Sequence, residues 1–430
     1  MIIKENGLRY AKLIHVSVDN GMTDNSNKVY IMEELSDGTI KCEYGRVGRS
    51  LTTEIKPSSK WDSVLKQKLS KTKGYTDVTE FLAEPVIDAT SGSTATAKTE
   101  EIKNSVVKRL IDQLMSFANK AIQRNYKVTQ EAVSEQQVNA AQELIDTISF
   151  KLVLNVDKKD INDLLLKLYT IIPRRMDNVR DYLINDVNDV NSLEKAQKFI
   201  GQEQSTLDTM AGQVQLIKQQ KAAADAPEEE QVDQITILDQ MGLRVDVEED
   251  TETLALVTKL MGPNAHQVKQ VFKVVNTKTQ KVFDTHFEQA KVKKRRLYWH
   301  GSRNENWFNI LQTGLLIRPS GAVHTGSMFG DGIYFADKAQ KSIGYSSLRG
   351  SYWTKGGDDK AYLALFDVHL GNQKEILNHT SSCYSLSDKV LKKDDYDSVF
   401  AKGGADLRNN EYIVYNAAQC TVSHLIEIGN

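Results

Sequence analysis

The chain has 430 residues, 40% hydrophobic and 26% charged, with a net charge of −2. That length exceeds one compact core and asks for two or three domains, while the composition excludes global disorder. No apolar run is long enough to cross a bilayer, and the first residues lack the basic-then-apolar layout of a signal peptide. An intracellular protein with no membrane partner is expected.

Residues 1–86 read as a small β-rich domain with one helix. Val29-Tyr30-Ile31-Met32 and the alternating Ile40, Cys42 and Tyr44 flank Ser36-Asp37-Gly38, the chemistry of a tight hairpin turn. Trp61 to Leu69 reads as a short helix. Between Lys41 and Tyr75 nine basic residues face three acidic ones. Such a surface either meets a polyanion, with binding that weakens as salt rises, or is a solvated lysine face. The small polar run from Asp88 to Ala97 marks a linker over residues 87–99.

Residues 100–221 change to a helical period. Val107, Leu110, Ile111, Leu114, Met115 and Ala118 make one stripe, Ala141, Leu144, Ile145 and Ile148 a second, and Ile161, Leu164, Leu165, Leu168 and Ile172 a third. Each is the apolar face of an amphipathic helix, so an all-α bundle is expected. A second linker, over residues 222–231, carries Pro227 and three successive glutamates. Beyond it, over residues 232–430, short β-branched and aromatic runs return between glycines: Val271–Val275, Ala361–Phe366, Tyr412–Tyr415 and Val422–Ile428. These predict a mainly antiparallel β domain, making the whole chain a multidomain α+β protein.

The three cysteines lie far apart and the eight histidines show no metal-ligand spacing, so a reducing compartment and no metal are expected. No G-x-G-x-x-G occurs, so a Rossmann mode of holding a dinucleotide has no support.

The chemistry concentrates near the C-terminus. Tyr298-Trp299-His300-Gly301-Ser302-Arg303 is followed by Gly326 to Asp337, by Lys341-Ser342-Ile343-Gly344-Tyr345, and by Asn409-Asn410-Glu411-Tyr412-Ile413-Val414-Tyr415. This is one imidazole, several ring faces, hydroxyls and one carboxylate, separated by glycines that let backbone approach a ligand. Singly, each is more often core or solvated surface than site. Together, His300-Gly301-Ser302, Gly332-Ile333-Tyr334-Phe335-Ala336 and Asn410-Glu411-Tyr412 closely resemble the H-Y-E signature of the poly(ADP-ribose) polymerase catalytic domain, with Leu370-Gly371-Asn372 between them.

The resemblance implies an NAD⁺ ADP-ribosyltransferase, with NAD as co-substrate and His300, Tyr334 and Glu411 as catalytic residues. It implies that Gly301 backbone and the Ser342 hydroxyl hold the carboxamide, that Tyr345 and Tyr334 cover the nicotinamide ring, and that His300 and Ser302 bond the adenosine-side ribose. Ala336 and Lys341 complete the NAD-binding set, although a surface role for Lys341 is equally open. Met328 matches a family acceptor contact and favours polymer, whereas Asp331 and Asn409 stand where polymer-forming members often carry Lys and Tyr.

Glu43-Tyr44-Gly45-Arg46-Val47-Gly48-Arg49 resembles the WGR domain of DNA-dependent members, with Tyr44 in place of the name-giving Trp. That implies DNA strand breaks as a partner and Tyr44, Arg46 and Arg49 as nucleic-acid-binding residues; a glycine-shaped hairpin is the alternative. Leu168-Tyr169-Thr170-Ile171-Ile172-Pro173 resembles the family's autoinhibitory helical domain, or marks a permanent packing partner. Three functions follow: a DNA-stimulated polymerase acting on proteins, itself included; a transferase adding one ADP-ribose; or a silent DNA-end scaffold, against which the intact residue set counts. The implied compartment is the nucleus in a eukaryote and cytoplasm or nucleoid otherwise. The basic run Lys291–Arg296 reads as a nuclear signal or as the structural lead into His300.

Overall fold

A computed structural model describes residues 1–4, 6–18, 25–82, 101–126, 133–153, 157–224, 236–317 and 328–430. The linker expected over 87–99 lies outside the described residues, as does most of that over 222–231. The chain forms two contact units. Described residues within Met1–Thr94 and Ala121–Gln215 make one; those within Ala95–Lys120, Leu216–Ser320 and Gly326–Asn430 make the other.

In the first unit β1 (Ile2–Ile3), β2 (Arg9–Val18), β3 (Asn25–Glu34), β4 (Thr39–Arg46) and β5 (Thr52–Pro57) pair in sequence order, and after helix α1 (Trp61–Lys68) the short β6 (Thr76–Asp77) pairs with β2. The β3–β4 hairpin forms where the turn chemistry predicts. Asp37 Oδ1 accepts from the Thr39 amide at 3.0 Å, and Gly38 takes φ +81°. Period-2 alternation sends Ala11, Leu13, Tyr30, Met32, Ile40 and Cys42 to one face, where α1 closes the core with the fully buried Trp61.

The helical stripes fold as helices α2 (Ser105–Tyr126), α3 (Glu135–Val153) and α4 (Lys158–Ile171), the last capped by Asp157, whose carboxylate accepts from the Lys159 amide. The long helix α5 (Val190–Ala224) has a less legible stripe. Its buried Ala196, Ile200, Leu207, Met210 and Val214 keep a four-three rhythm only if Glu203 is counted with them. Glu203 is tolerated there because Arg174, 1% exposed, meets it with two parallel bonds of 2.9 and 2.7 Å. The same unit ties sheet to helices. Asn27, fully buried on β3, donates to the Arg174 carbonyl at 2.8 Å.

Besides residues 105–120 of α2, the second unit holds α6 (Ile237–Met241), β7 (Leu243–Val247), α7 (Thr251–Met261), β8 (Val268–Asn276), α8 (Thr277–Gln289), β9 (Arg295–Gly301) and α9 (Trp307–Thr313). It continues through β10 (Ile333–Phe335), α10 (Ala339–Ile343), β11 (Lys360–His369), β12 (Gln373–Ile376), α11 (Asp388–Lys392), β13 (Ser398–Ala401), β14 (Glu411–Val414) and β15 (Cys420–Gly429). Antiparallel strands in the order β7-β8-β15-β11-β9 form one sheet. The other runs β10-β14-β13-β12, antiparallel except for the β12–β13 pair. The expected mixed α and antiparallel β character is what the strands show.

β11 is buried on both faces, so its alternation feeds two cores. Tyr362, Ala364 and Phe366 share one with Val107, Leu110, Ile111 and Leu114 of α2; Ala361, Leu363 and Leu365 share the other with Val257, Met261 and Trp299. The first stripe of the helical segment therefore packs in the core of the second unit.

Candidate active site

The site residues converge where the two sheets of the second unit meet. Trp299 on β9 and Ala336, just past β10, exchange both backbone hydrogen bonds at 2.8 and 2.9 Å. That bridge sets His300 beside Tyr334. The imidazole Nδ1 lies 3.1 Å from the Tyr334 carbonyl. A carbonyl only accepts, so Nδ1 carries the proton and Nε2 keeps a free lone pair. The rings of Trp307, Phe335 and Phe366 surround the imidazole, and burial pushes its pKa down to about 4. His300 is therefore neutral at pH 7, an acceptor at Nε2.

Strand register explains how Tyr334 and Glu411 come together. Tyr334 pairs directly with Ile413, and Glu411 lies two residues from Ile413 on β14, so all three point to the same face. The Tyr334 hydroxyl donates to the Gly330 carbonyl at 2.8 Å and accepts from the Phe329 amide at 3.0 Å, which fixes the ring. Asn410 is also pinned, accepting from the Gly403 amide and donating to Asp337 Oδ2 at 2.8 Å. The residue before Glu411 is thus held from both sides. Sequence reasoning gave Asn410 and Asp337 no role, although both stand beside the residues it singled out.

Glu411 is 8% exposed. Its Oε1 accepts from the Lys341 ammonium, while Oε2 is buried with no hydrogen-bond partner among the described residues. Burial pushes Lys341 below the usual lysine range, against the opposing pull of Glu411. Lys341 thus lies beside the Glu411 carboxylate, its side chain 13% exposed. Tyr345 is pushed up to about 12 by burial and by the Glu411 charge, and so stays a neutral ring.

Gly301 sits against α10. A Cβ built on it would lie 2.0 Å from the Ser342 carbonyl oxygen. Only glycine lets β9 lie this close to the helix that carries Lys341 and the buried Ser342. Ser302, one residue on, accepts from Asn306 Nδ2 at 2.9 Å. An imidazole acceptor, a half-bonded carboxylate and two neutral tyrosines on neighbouring elements can hold a sugar hydroxyl and a flat cation.

The residues expected to bind nucleic acid lie in the first unit with other partners. Tyr44 stacks on Tyr30 at 5.5 Å between centroids, and the Lys68 ammonium sits 3.8 Å from the Tyr30 ring. Arg46 donates to the carbonyls of Met176 (3.0 Å), Asp177 (2.8 Å) and Asn25 (2.9 Å). Arg49 pairs with Asp177 at 2.6 Å. Tyr44 thus faces a ring cluster, and the two arginines face Met176 and Asp177, just before the 3₁₀ turn Val179–Tyr182.

Residues 249–430 match the family of the poly(ADP-ribose) polymerase catalytic domain. The poly(ADP-ribose) polymerase-like protein 100L of Invertebrate iridescent virus 6 is 33% identical over 37% of this chain and 84% of its own length. The chain belongs to the poly(ADP-ribose) polymerase family. Protein 101L of the same virus is 33% identical over 48% of this chain and 77% of its own. Poly(ADP-ribose) polymerase 2 of Arabidopsis thaliana is 25% identical over 94% of this chain and 71% of its own. As a member of this family, the chain is an NAD⁺ ADP-ribosyltransferase, and NAD⁺ is its substrate. Among the described residues no helix is long and apolar enough to cross a membrane.

Proposed function

We propose that the chain transfers ADP-ribose from NAD⁺ to proteins, itself included, and to growing ADP-ribose chains, and that DNA strand breaks stimulate it. The observation that carries this reading is the buried Oε2 of Glu411, without a hydrogen-bond partner among the described residues while Lys341 bonds the other oxygen, its charge acting on both Tyr334 and Tyr345.

Tyr345 and Tyr334 flank the nicotinamide ring, whose positive charge favours aromatic faces. The Gly301 backbone and Ser342 hydroxyl, brought together by the close approach of β9 to α10, hold the carboxamide. His300 Nε2 accepts from an adenosine-ribose hydroxyl, with Ser302 beside it and the Ala336 backbone as floor. Glu411 Oε2 accepts from the 2′-hydroxyl of the nicotinamide ribose.

The bond from C1′ to the nicotinamide nitrogen then breaks, the electron pair leaving with neutral nicotinamide. The sugar becomes oxocarbenium-like, and the carboxylate stabilises its developing charge. An acceptor oxygen forms the new bond to C1′ while its proton passes to Glu411. No acid is needed for the leaving group.

The six-stranded N-terminal sheet with α1 fits a WGR-type domain, and the exposed Lys60, Lys66, Lys71 and Lys73 supply its basic surface. Tyr44 and these lysines meet DNA, while Arg46 and Arg49 link that face to Met176 and Asp177. Loosening of the helical segment then opens the donor site, a coupling between two ligands through one two-state element. A second reading, transfer of a single ADP-ribose, is favoured by Asp331. It is a half-buried carboxylate three residues after Met328, where an anionic polymer end would dock.

Incubation with labelled NAD⁺, with and without a nicked duplex, tests both on a denaturing gel. A DNA-dependent ladder supports the polymerase; one DNA-dependent band supports the single transfer. Labelling indifferent to DNA removes the sensor, and no labelling removes the enzyme reading.

A further inference from the structure

Three of the four tryptophans, Trp61, Trp299 and Trp307, are at most 1% exposed. Trp353 is 57% exposed and its neighbour Tyr352 71%. Single exposed rings are ordinary. These two are adjacent, and Trp353 lies near-parallel to Tyr345, with centroids 5.9 Å apart and planes at 21°. Tyr352 meets Trp353 edge-on at 4.7 Å. Three rings thus run in a row from the candidate nicotinamide site to solvent.

The segment that presents them is firmly tied. The Trp353 amide donates to the Gly344 carbonyl at 2.9 Å. Thr354 Oγ1 donates to the Ser346 carbonyl, and the Gly356 amide donates to Ser351 Oγ at 2.8 Å. A Cβ on Gly356 would lie 2.3 Å from the Ser347 carbonyl oxygen, so the return of the loop is packed backbone on backbone. Arg303 and Asn304, just after the His300-Gly301-Ser302 run, fasten its other side through the Thr354 carbonyl (3.4 Å) and Asp358 (2.9 Å). More than half of the Trp353 ring faces water although the loop that carries it is braced. A ligand-facing duty accounts for it.

We propose that Trp353 is a positioning residue of the donor site: it backs the Tyr345 ring, holds it at the angle nicotinamide stacking needs, and with Tyr352 extends the aromatic wall. The inference rests on Tyr345 being the nicotinamide wall, as proposed above. It follows that Trp353 sets donor affinity and leaves turnover alone, because it touches no reacting atom.

The test is nicotinamide titration of the full chain by isothermal calorimetry, alongside NAD⁺ kinetics, for wild type, Trp353→Ala, Trp353→Phe and Tyr345→Ala. Trp353→Ala is expected to raise the nicotinamide Kd and the NAD⁺ KM by about three- to tenfold, the worth of one aromatic pair, with kcat within about twofold. Trp353→Phe keeps a parallel ring and restores KM. If Trp353→Ala binds nicotinamide like wild type while Tyr345→Ala does not, the positioning role is overturned and the donor site stands. If neither variant matters, both are overturned.

Discussion

Gly301→Ala is the sharpest test of the site geometry. The new Cβ would lie 2.0 Å from the Ser342 carbonyl oxygen and 2.7 Å from its carbon, where ordinary contact begins at 3.4 Å. Both partners are backbone, so no rotamer change relieves the clash, and α10 or β9 must retreat by about 1.4 Å. Overpacking of this kind costs about 1–3 kcal/mol, which for a domain of this size lowers Tm by roughly 3–10 °C. The movement carries Lys341 and Ser342 away from Glu411, and a misplacement near 1 Å costs on the order of a hundredfold in rate. Automodification with labelled NAD⁺, paired with a thermal melt, reads both effects. A Gly301→Ala protein melting with wild type and active within twofold would refute the close approach of helix and strand.

Glu411→Gln keeps NAD⁺ affinity within about threefold but abolishes elongation, since the amide stabilises neither the oxocarbenium nor the acceptor proton; unchanged product length on a gel would remove the assigned role. His300 sets a pH dependence. Its folded pKa of about 4 lies below the ordinary 6.5, so its contribution to stability is present above 6.5 and is lost as pH falls toward 4. His300→Gln should flatten urea stability across that window, and an equal slope in both proteins would contradict it. Arg174→Met strips Glu203 of its bidentate partner and costs about 3–5 kcal/mol, most of which Glu203→Leu returns in the double variant; a mild single variant in urea would show the pair to be dispensable. Deletion of residues 98–221 raises DNA-independent activity although it uncovers Tyr362 and Phe272, and a deletion protein that folds by its melt yet stays silent without DNA would refute autoinhibition.

The parts legible in the sequence were those with a local signature. Ser36-Asp37-Gly38 announces its hairpin because the turn needs an Asp acceptor and a positive φ, both supplied within three residues. The stripes of α2, α3 and α4 are uninterrupted, so their period shows. The stripe of α5 is broken at Glu203, and its repair by Arg174 comes from 29 residues away, which no window sees. The H-Y-E residues were readable only as a set, from three segments that register and a two-bond bridge assemble. The partners of Arg46 could not be read at all, because they are carbonyls, and every residue has one. Trp353 escaped notice because nothing in its neighbours' chemistry points to Tyr345, eight residues earlier.

Strand order in the larger sheet of the second unit has a consequence for synthesis. β8 pairs with β7 on one side, but its other edge waits for β15, with Phe272 matched to Leu425. At about 5–20 residues per second that edge stays open on the ribosome for roughly 8–30 seconds. β11 depends on the same late strand, so neither half of the sheet can close before β15 emerges. Folding of the second unit is therefore non-local and slow, and open strand edges invite pairing with other nascent chains. Yield on expression should respond to synthesis rate and temperature more than to any single substitution in the site.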